Sequence, residues 1–259
     1  MTGFAPGDVG APPAIRIGDV LNRSWNLFAA HWLAYGCMMG FGYAPIVIVG
    51  ALAGLAQGVQ GPIGAQGQMG TLAIIAALII GVVVFLSLLL APAAINFGVA
   101  QEMSGRRYSF GQSVAVTLRR SPAILGVTIL SVLLGGLASL LLVIPGVIVF
   151  CVYSVAIPAC VMEGLGPLAS LSRSAFLTRG NRWRIFGLLC LLYIGGAALE
   201  QLLSFIARQI LGALASLVVS LPFNIAVSAF SAVAVGALYA QLRIAREGVD
   251  IEHIAKVFD

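Results

Sequence analysis

Polar positions in this chain are confined to short interruptions between long apolar runs, and the interruptions resemble one another. Between Ile15 and His31, the side chains of Ile17, Val20, Leu21 and Phe28 fall on one helical face, while Arg16, Asp19, Arg23 and Asn26 fall on another. That pattern predicts an amphipathic helix lying along the headgroups and leading into a membrane span. The apolar run at 32–56 follows. It is long enough to cross a hydrocarbon core of about 30 Å, which takes about 20 helical residues. Further runs at 72–100, 123–143, 147–162, 183–207 and 211–244 bring the expected spans to six. Pro92 predicts a kink in the second, and Pro222 a tilt or kink in the last, which is longer than one crossing needs.

Two more amphipathic segments separate these runs. In residues 104–121, Phe110, Val114 and Leu118 form one face and Arg106, Arg107, Arg119 and Arg120 bracket the ends. After the helix stop expected at Glu163-Gly164, Leu168, Leu171 and Ala175 form an apolar face with Arg173 and Arg179 on the wet side. The third and fourth spans are joined by an expected turn at Pro145-Gly146, where proline at a helix start needs no donor. A small fourth face comes from Ile251, Ile254, Ala255 and Phe258.

The arrangement is an internal repeat. Leu21, Asn22, Arg23 and Ser24, with Leu27 and then His31-Trp32, line up with Leu171, Ser172, Arg173 and Ser174, with Leu177 and then Arg182-Trp183. Residues 110–121 occupy the same place between them, and each unit closes on an acid and a glycine: Glu102 with Gly105, Glu163-Gly164 and Glu247-Gly248. The expected architecture is therefore all-α, a polytopic membrane bundle of six transmembrane helices built as three hairpin repeats with interfacial amphipathic helices. Residues 15–259 form one membrane domain, and residues 1–14 form a disordered tail without the features of a cleavable signal peptide. The uncharged stretch 57–70 has glycine at 58, 61, 64, 67 and 70; it reads as a flexible loop rather than as collagen, which needs three chains and long arrays.

Composition agrees with the pattern. Hydrophobic residues make up 60% and charged residues 9%, with a mean hydropathy of +1.05, whereas soluble domains are about 25% charged. The net charge of +5 does not point to nucleic acid, because the basic residues sit in clusters at the ends of apolar runs. All of the 14 basic residues except Arg208 fall on one side of the six-span topology, which predicts that both termini are cytoplasmic. Cys37, Cys151, Cys160 and Cys190 lie inside apolar runs without metal-ligand spacing, and His31 and His253 have no second ligand nearby. Free thiols are expected, with no metal and no cofactor.

Candidate chemistry is sparse. Arg173, Arg179, Arg182 and Arg184 beside Trp183 are topology determinants that would also hold anionic headgroups, with the indole at headgroup depth, and ion pairing of the cluster with Glu163 is a third reading, compatible with both. Glu200 is an ionisable group in an apolar run, a functional candidate with a hydrated or Arg208-paired structural role as the alternative. Asn96 must find a partner or face water. Ser216, Ser220, Asn224, Ser228 and Ser231 form a stripe down the last span, read either as close helix packing or as the polar wall of a cavity. Convergence of Asn96, Glu200 and Asn224 on one cavity would favour transport.

Ile144-Pro145-Gly146, Glu163-Gly164, Ser172-Arg173-Ser174, Thr178-Arg179-Gly180-Asn181 with Trp183, and the closing Leu238-Tyr239, Leu242-Arg243 and Glu247-Gly248-Val249-Asp250 carry a resemblance. Together they resemble the bacterial membrane domain found in front of some glycerophosphoryl diester phosphodiesterases and in many stand-alone membrane proteins. Members often have Asp before the closing Leu-Arg, where this chain has Gln241, so a role for that acid does not carry over. The family's phosphodiesterase activity resides in a separate soluble barrel with metal-binding carboxylates and paired histidines, so catalysis does not carry over either. The resemblance implies a bacterial inner-membrane protein associated with lipid-related work. The expected function is a non-enzymatic accessory or lipid-homeostasis membrane domain contacting anionic lipid or a membrane-protein partner. The alternative is a transporter or channel for a small solute or lipid, using a polar cavity lined by the last span.

Overall fold

The structure is a computed structural model that describes residues 15–59, 71–106 and 108–247. Every regular element in them is helical: α1 Ile17–Ala30, α2 Trp32–Val59, α3 Thr71–Met103, α4 Phe110–Arg119, α5 Ser121–Leu141, α6 Val143–Tyr153, α7 Ala156–Glu163, α8 Pro167–Thr178, α9 Arg182–Cys190 and α10 Gly196–Glu247. A π-helical segment, Leu191–Gly195, joins α9 to α10, and Gly212 at φ 81°, ψ 173° breaks α10 into two limbs. Among the described residues six stretches are long and apolar enough to cross a membrane: Trp32–Ala51, Ile74–Met103, Ser121–Leu140, Ile144–Glu163, Arg182–Ile210 and Val218–Glu247. The tail at 1–14, residues 60–70 of the glycine-rich stretch and the face at Ile251, Ile254, Ala255 and Phe258 lie outside the described residues.

The second limb of α10 is the centre of the bundle. Small side chains on all its sides let neighbouring helices approach closely, as membrane interfaces require. Ala229, Ala232, Val233, Ala234, Ala237 and Ala240 are buried there together with Leu238, Tyr239 and Leu242. One apolar core joins this limb to α1, α6, α7, α8 and α9, and another joins it to α2 and α3. A third core ties α3 to α5, α7 and α8 around Ile124, Val127 and Cys160. Large apolar side chains such as Leu78, Ile79, Leu137 and Leu140 point outward, as a lipid solvent permits.

Two sequence expectations are displaced. The α5–α6 reversal falls at Leu142, and Pro145 and Gly146 lie inside the first turn of α6. Proline is tolerated there because first-turn donors have no helical partner. Gly146 is a contact point rather than a turn: a Cβ on it would meet Ser139 Oγ at 2.0 Å.

The amphipathic helices form where the pattern puts them, but their inner faces are less apolar than expected. In α4 the buried residues are Ser113 and Thr117, whereas Phe110 and Leu118 are exposed. In α8, Ser170, Ser174 and Thr178 are buried beside Leu171 and Leu177, while Leu168 is 73% exposed. In α1, Ser24 is buried beside Val20. A hydroxyl can turn inward cheaply when it returns its hydrogen to the carbonyl four residues back. Ser24 donates to the Val20 carbonyl at 2.6 Å, Ser113 to that of Ser109 at 2.9 Å and Thr178 to that of Ser174 at 2.9 Å. Ser174 instead bonds across to the Val152 carbonyl at 2.6 Å and fastens α8 to α6.

Gly164 ends α7 as expected, in the left-handed region at φ 72°. Arg120 closes that end, donating to the carbonyls of Val161 at 3.0 Å and Cys160 at 2.9 Å, the latter also accepting the Gly164 N–H, so that a cation sits on the last carbonyls of the helix.

Candidate functional site

Asn96 from α3, Glu200 from the first limb of α10 and Asn224 from the second limb line a single cavity of about 460 Å³. Three features of backbone structure bring these walls together. Gly196 lets the two limbs of α10 close up, since a Cβ there would come within 2.9 Å of Val227. The π-helical segment delivers Leu192 and Tyr193 to the same wall, and such segments recur at functional sites. Pro92 and Pro158 line the cavity too. Neither can supply the N–H that would bind the carbonyl four residues earlier, and those earlier residues, Leu88 and Ser154, are also lining residues.

The hydroxyls of the cavity are largely engaged with one another or with backbone. Tyr43 Oη and Ser228 Oγ share a hydrogen bond of 3.0 Å, Ser231 donates to the Val227 carbonyl at 2.9 Å, and Ser154 donates to the Cys151 carbonyl at 2.9 Å. The amides are different. Asn96 is 3% exposed, and Oδ1 of both Asn96 and Asn224 is buried without a hydrogen-bond partner. Asn96 Oδ1 lies against Gly236, where a Cβ would approach it to 2.9 Å. Glu200 enters no ion pair among the described residues and neither does Arg208, so the Arg208-paired reading of Glu200 is not what the structure holds. Among the described residues no Arg or Lys lines the cavity. Of the serine stripe, Ser228 and Ser231 reach the cavity with Asn224, and Ser228 also bonds across to α2.

The basic cluster divides. Arg173 Nε lies 2.9 Å from Glu163 Oε1, and its guanidinium also pairs with Glu247, which Arg243 meets at 3.1 Å. Burial alone would lower the Arg173 pKa, but the bonds and charges of Glu163 and Glu247 outweigh it and raise it. Arg173 is therefore a structural ion-pair residue, the third of its sequence readings. Arg179, Arg182 and Trp183 surround a pocket of about 320 Å³ with Gly180. Arg182 and Trp183 also border an apolar pocket of about 310 Å³ against Ile144, Val147, Ile148, Cys151 and Phe186. Arg184 is exposed and borders neither.

Sequence reasoning did not connect His31 with Glu102. The His31 Nδ1 atom lies 2.8 Å from Glu102 Oε1, Tyr35 is fully buried beside that carboxylate, and Tyr108 packs edge-on against Tyr35 at 5.2 Å between ring centres. Burial, then the charge of Glu102, then Cys37 push the Tyr108 phenol up to about 12. Both acids that close a repeat unit here have a buried tyrosine near them: Tyr239 donates to Glu163, and Tyr35 lies beside Glu102. Among the described residues no group of three His, Cys, Asp or Glu side chains is placed to hold a metal ion.

Fold and site together define the class: an all-α, multi-pass membrane protein whose spanning helices line a half-open, mostly apolar cavity that holds a carboxylate and two amides. A family model described as a domain of unknown function (DUF7847) matches residues 131–251, a stretch that takes in Glu200 and Asn224 but not Asn96. No curated protein and no solved structure matches the chain.

Proposed function

We propose that this chain binds a small polar solute within the membrane and passes it across, without enzymatic catalysis. The observation that carries this reading is the convergence of Asn96, Glu200 and Asn224, from three separate helical segments, on one cavity of about 460 Å³. Ionisable and amide groups inside membrane bundles are costly, and facing a shared polar space is the common reason for retaining them. The volume lies in the range of small-molecule sites, roughly 300–1,000 Å³. The basic residues favour both termini on the cytoplasmic side, and the resemblance to the phosphodiesterase membrane domain implies a bacterial inner membrane. Reporter fusions in the 57–70 stretch and at the C terminus should then give opposite sidedness.

The test is flux in proteoliposomes, with urea, glycerol and tetramethylammonium chloride each followed after an osmotic step. The expected result is flux of at least one solute above protein-free vesicles, reduced by Asn224→Leu. Absence of protein-dependent flux for all three would overturn the reading.

The lipid-associated accessory role is the second reading, and it includes the resemblance to the phosphodiesterase membrane domain. It is favoured by the pocket between Arg179, Arg182 and Trp183 and its apolar continuation along α6, a shape suited to an anionic headgroup and the start of an acyl chain. On that reading Arg179→Gln with Arg182→Gln reduces co-purification of anionic lipid. Arg173→Gln should instead act through stability.

A further inference from the structure

The cavity reading leaves the solute unnamed, and the inference here rests on it. We infer that the Asn96–Glu200–Asn224 cavity takes a monovalent cation, either an alkali ion or a small organic ammonium. Glu200 sets the sign. It is the one carboxylate among the described lining residues, and among the described residues it has no ion-pair partner and no basic side chain borders the space. A carboxylate held in an apolar span without a protein counter-charge attracts a cation and repels an anion.

The remaining groups agree with that sign. Pro92 and Pro158 release the carbonyls of Leu88 and Ser154 from helical bonding. Carbonyls freed at helix breaks are how membrane carriers coordinate cations at mid-bundle. Asn96 and Asn224 add amides whose oxygens have no partner. Tyr43 and Tyr193 supply lining rings, whose faces attract a cation, organic ammonium above all. Two of the lining hydroxyls give their hydrogens to backbone carbonyls, Ser231 to Val227 and Ser154 to Cys151, and Tyr43 and Ser228 share a third bond, which leaves few donors for an anion. The basic residues Arg179 and Arg182 border different pockets.

Equilibrium dialysis on the full chain in phosphatidylcholine nanodiscs tests this, with radiolabelled rubidium, tetramethylammonium and glycerol as separate probes. The expected result is saturable retention of rubidium or tetramethylammonium, whichever source of positive charge the site takes. Glu200→Gln should weaken that retention about tenfold or more, and Glu200→Asp, which keeps the charge, should largely preserve it. Retention of neither cation, or retention unchanged in Glu200→Gln with an unaltered melting profile, overturns the inference. If glycerol is retained and lost in Asn224→Leu while both cations are not, the cavity reading stands and the cation class falls. If no probe is retained and none crosses in the flux assay, both fall together.

Discussion

Tyr239 donates its phenolic hydrogen to the same Glu163 oxygen that lies 2.9 Å from Arg173 Nε, so one carboxylate ties the second limb of α10 to the junction of α7 and α8. Arg173 in turn reaches Glu247 near the end of α10. Replacing Arg173 by Met takes the shared cation from two part-buried carboxylates, leaving Glu163 with the Tyr239 hydroxyl and Glu247 with Arg243. A fully buried pair broken on one side costs about 3–5 kcal/mol; with these side chains 16–23% exposed, a loss of about 2 kcal/mol is expected. Thermal unfolding in detergent should show it, and Arg173→Lys should recover part of it. An unchanged melting temperature for Arg173→Met would remove the network from the list of stabilising contacts.

The α5–α6 hairpin closes at Gly146. A Cβ there would overlap Ser139, at 2.0 Å from Oγ and 2.9 Å from Cα, so Gly146→Ala forces the helices apart at an expected cost of about 1–3 kcal/mol. Gly136 has nothing within 4 Å of the same added atom. Its replacement by Ala should be neutral or stabilising by up to about 1 kcal/mol, from helix propensity alone. Comparing the two variants by chemical denaturation separates a packing effect from a general intolerance of α5 and α6 to side chains.

Tyr108 gives a pH test. Its phenol ordinarily ionises near 10.0 and is pushed up to about 12, burial being the largest cause. The folded chain therefore prefers the neutral ring. The stabilisation is complete below the free phenol's value and is lost as pH rises through about 12. Ultraviolet titration of the chain minus that of Tyr108→Phe should isolate a late phenolate step. A difference spectrum with its midpoint at the ordinary tyrosine value would contradict the packing of Tyr108 against Tyr35.

All four cysteines are free, with Cys37 exposed, Cys190 half-buried and Cys151 and Cys160 buried. Denatured protein should titrate as four thiols. In the bilayer a lipid-soluble maleimide should reach Cys37 first and leave Cys151 and Cys160 unmodified. Rapid labelling of Cys160, whose Sγ lies 3.4 Å from the Leu165 carbonyl, would mean that α7 opens from α8.

Span number and helix order were legible because an apolar run of about 20 residues has few other folded fates. The inner faces of α4 and α8 were not. Apolar periodicity assumes water outside, but Phe110, Leu118 and Leu168 sit on exposed faces of a bundle whose apolar outer surface suits lipid, while Ser113, Thr117, Ser170 and Ser174 fill the tight inner contacts. The pairing of His31 with Glu102 was not legible for a different reason: two polar residues more than two spans' length apart in sequence carry no periodic signal. Asn96, Glu200 and Asn224 were each visible as polar groups in apolar runs. Their convergence depended on Gly196, Pro92 and the π-helical segment, none of which reveals its partner helix in the sequence.

Gly212 holds φ 81° and ψ 173°, a backbone region that only glycine occupies without strain of roughly 1–3 kcal/mol. Glu200 lies on one side of it and Asn224 on the other. Rotation about that one joint would swing the two limbs of α10 as lever arms. It would change the spacing of carboxylate and amide while leaving each arm's own hydrogen bonds intact. One pair of backbone angles, remote from the residues that line the space, thus sets how the two α10 walls of the cavity face each other.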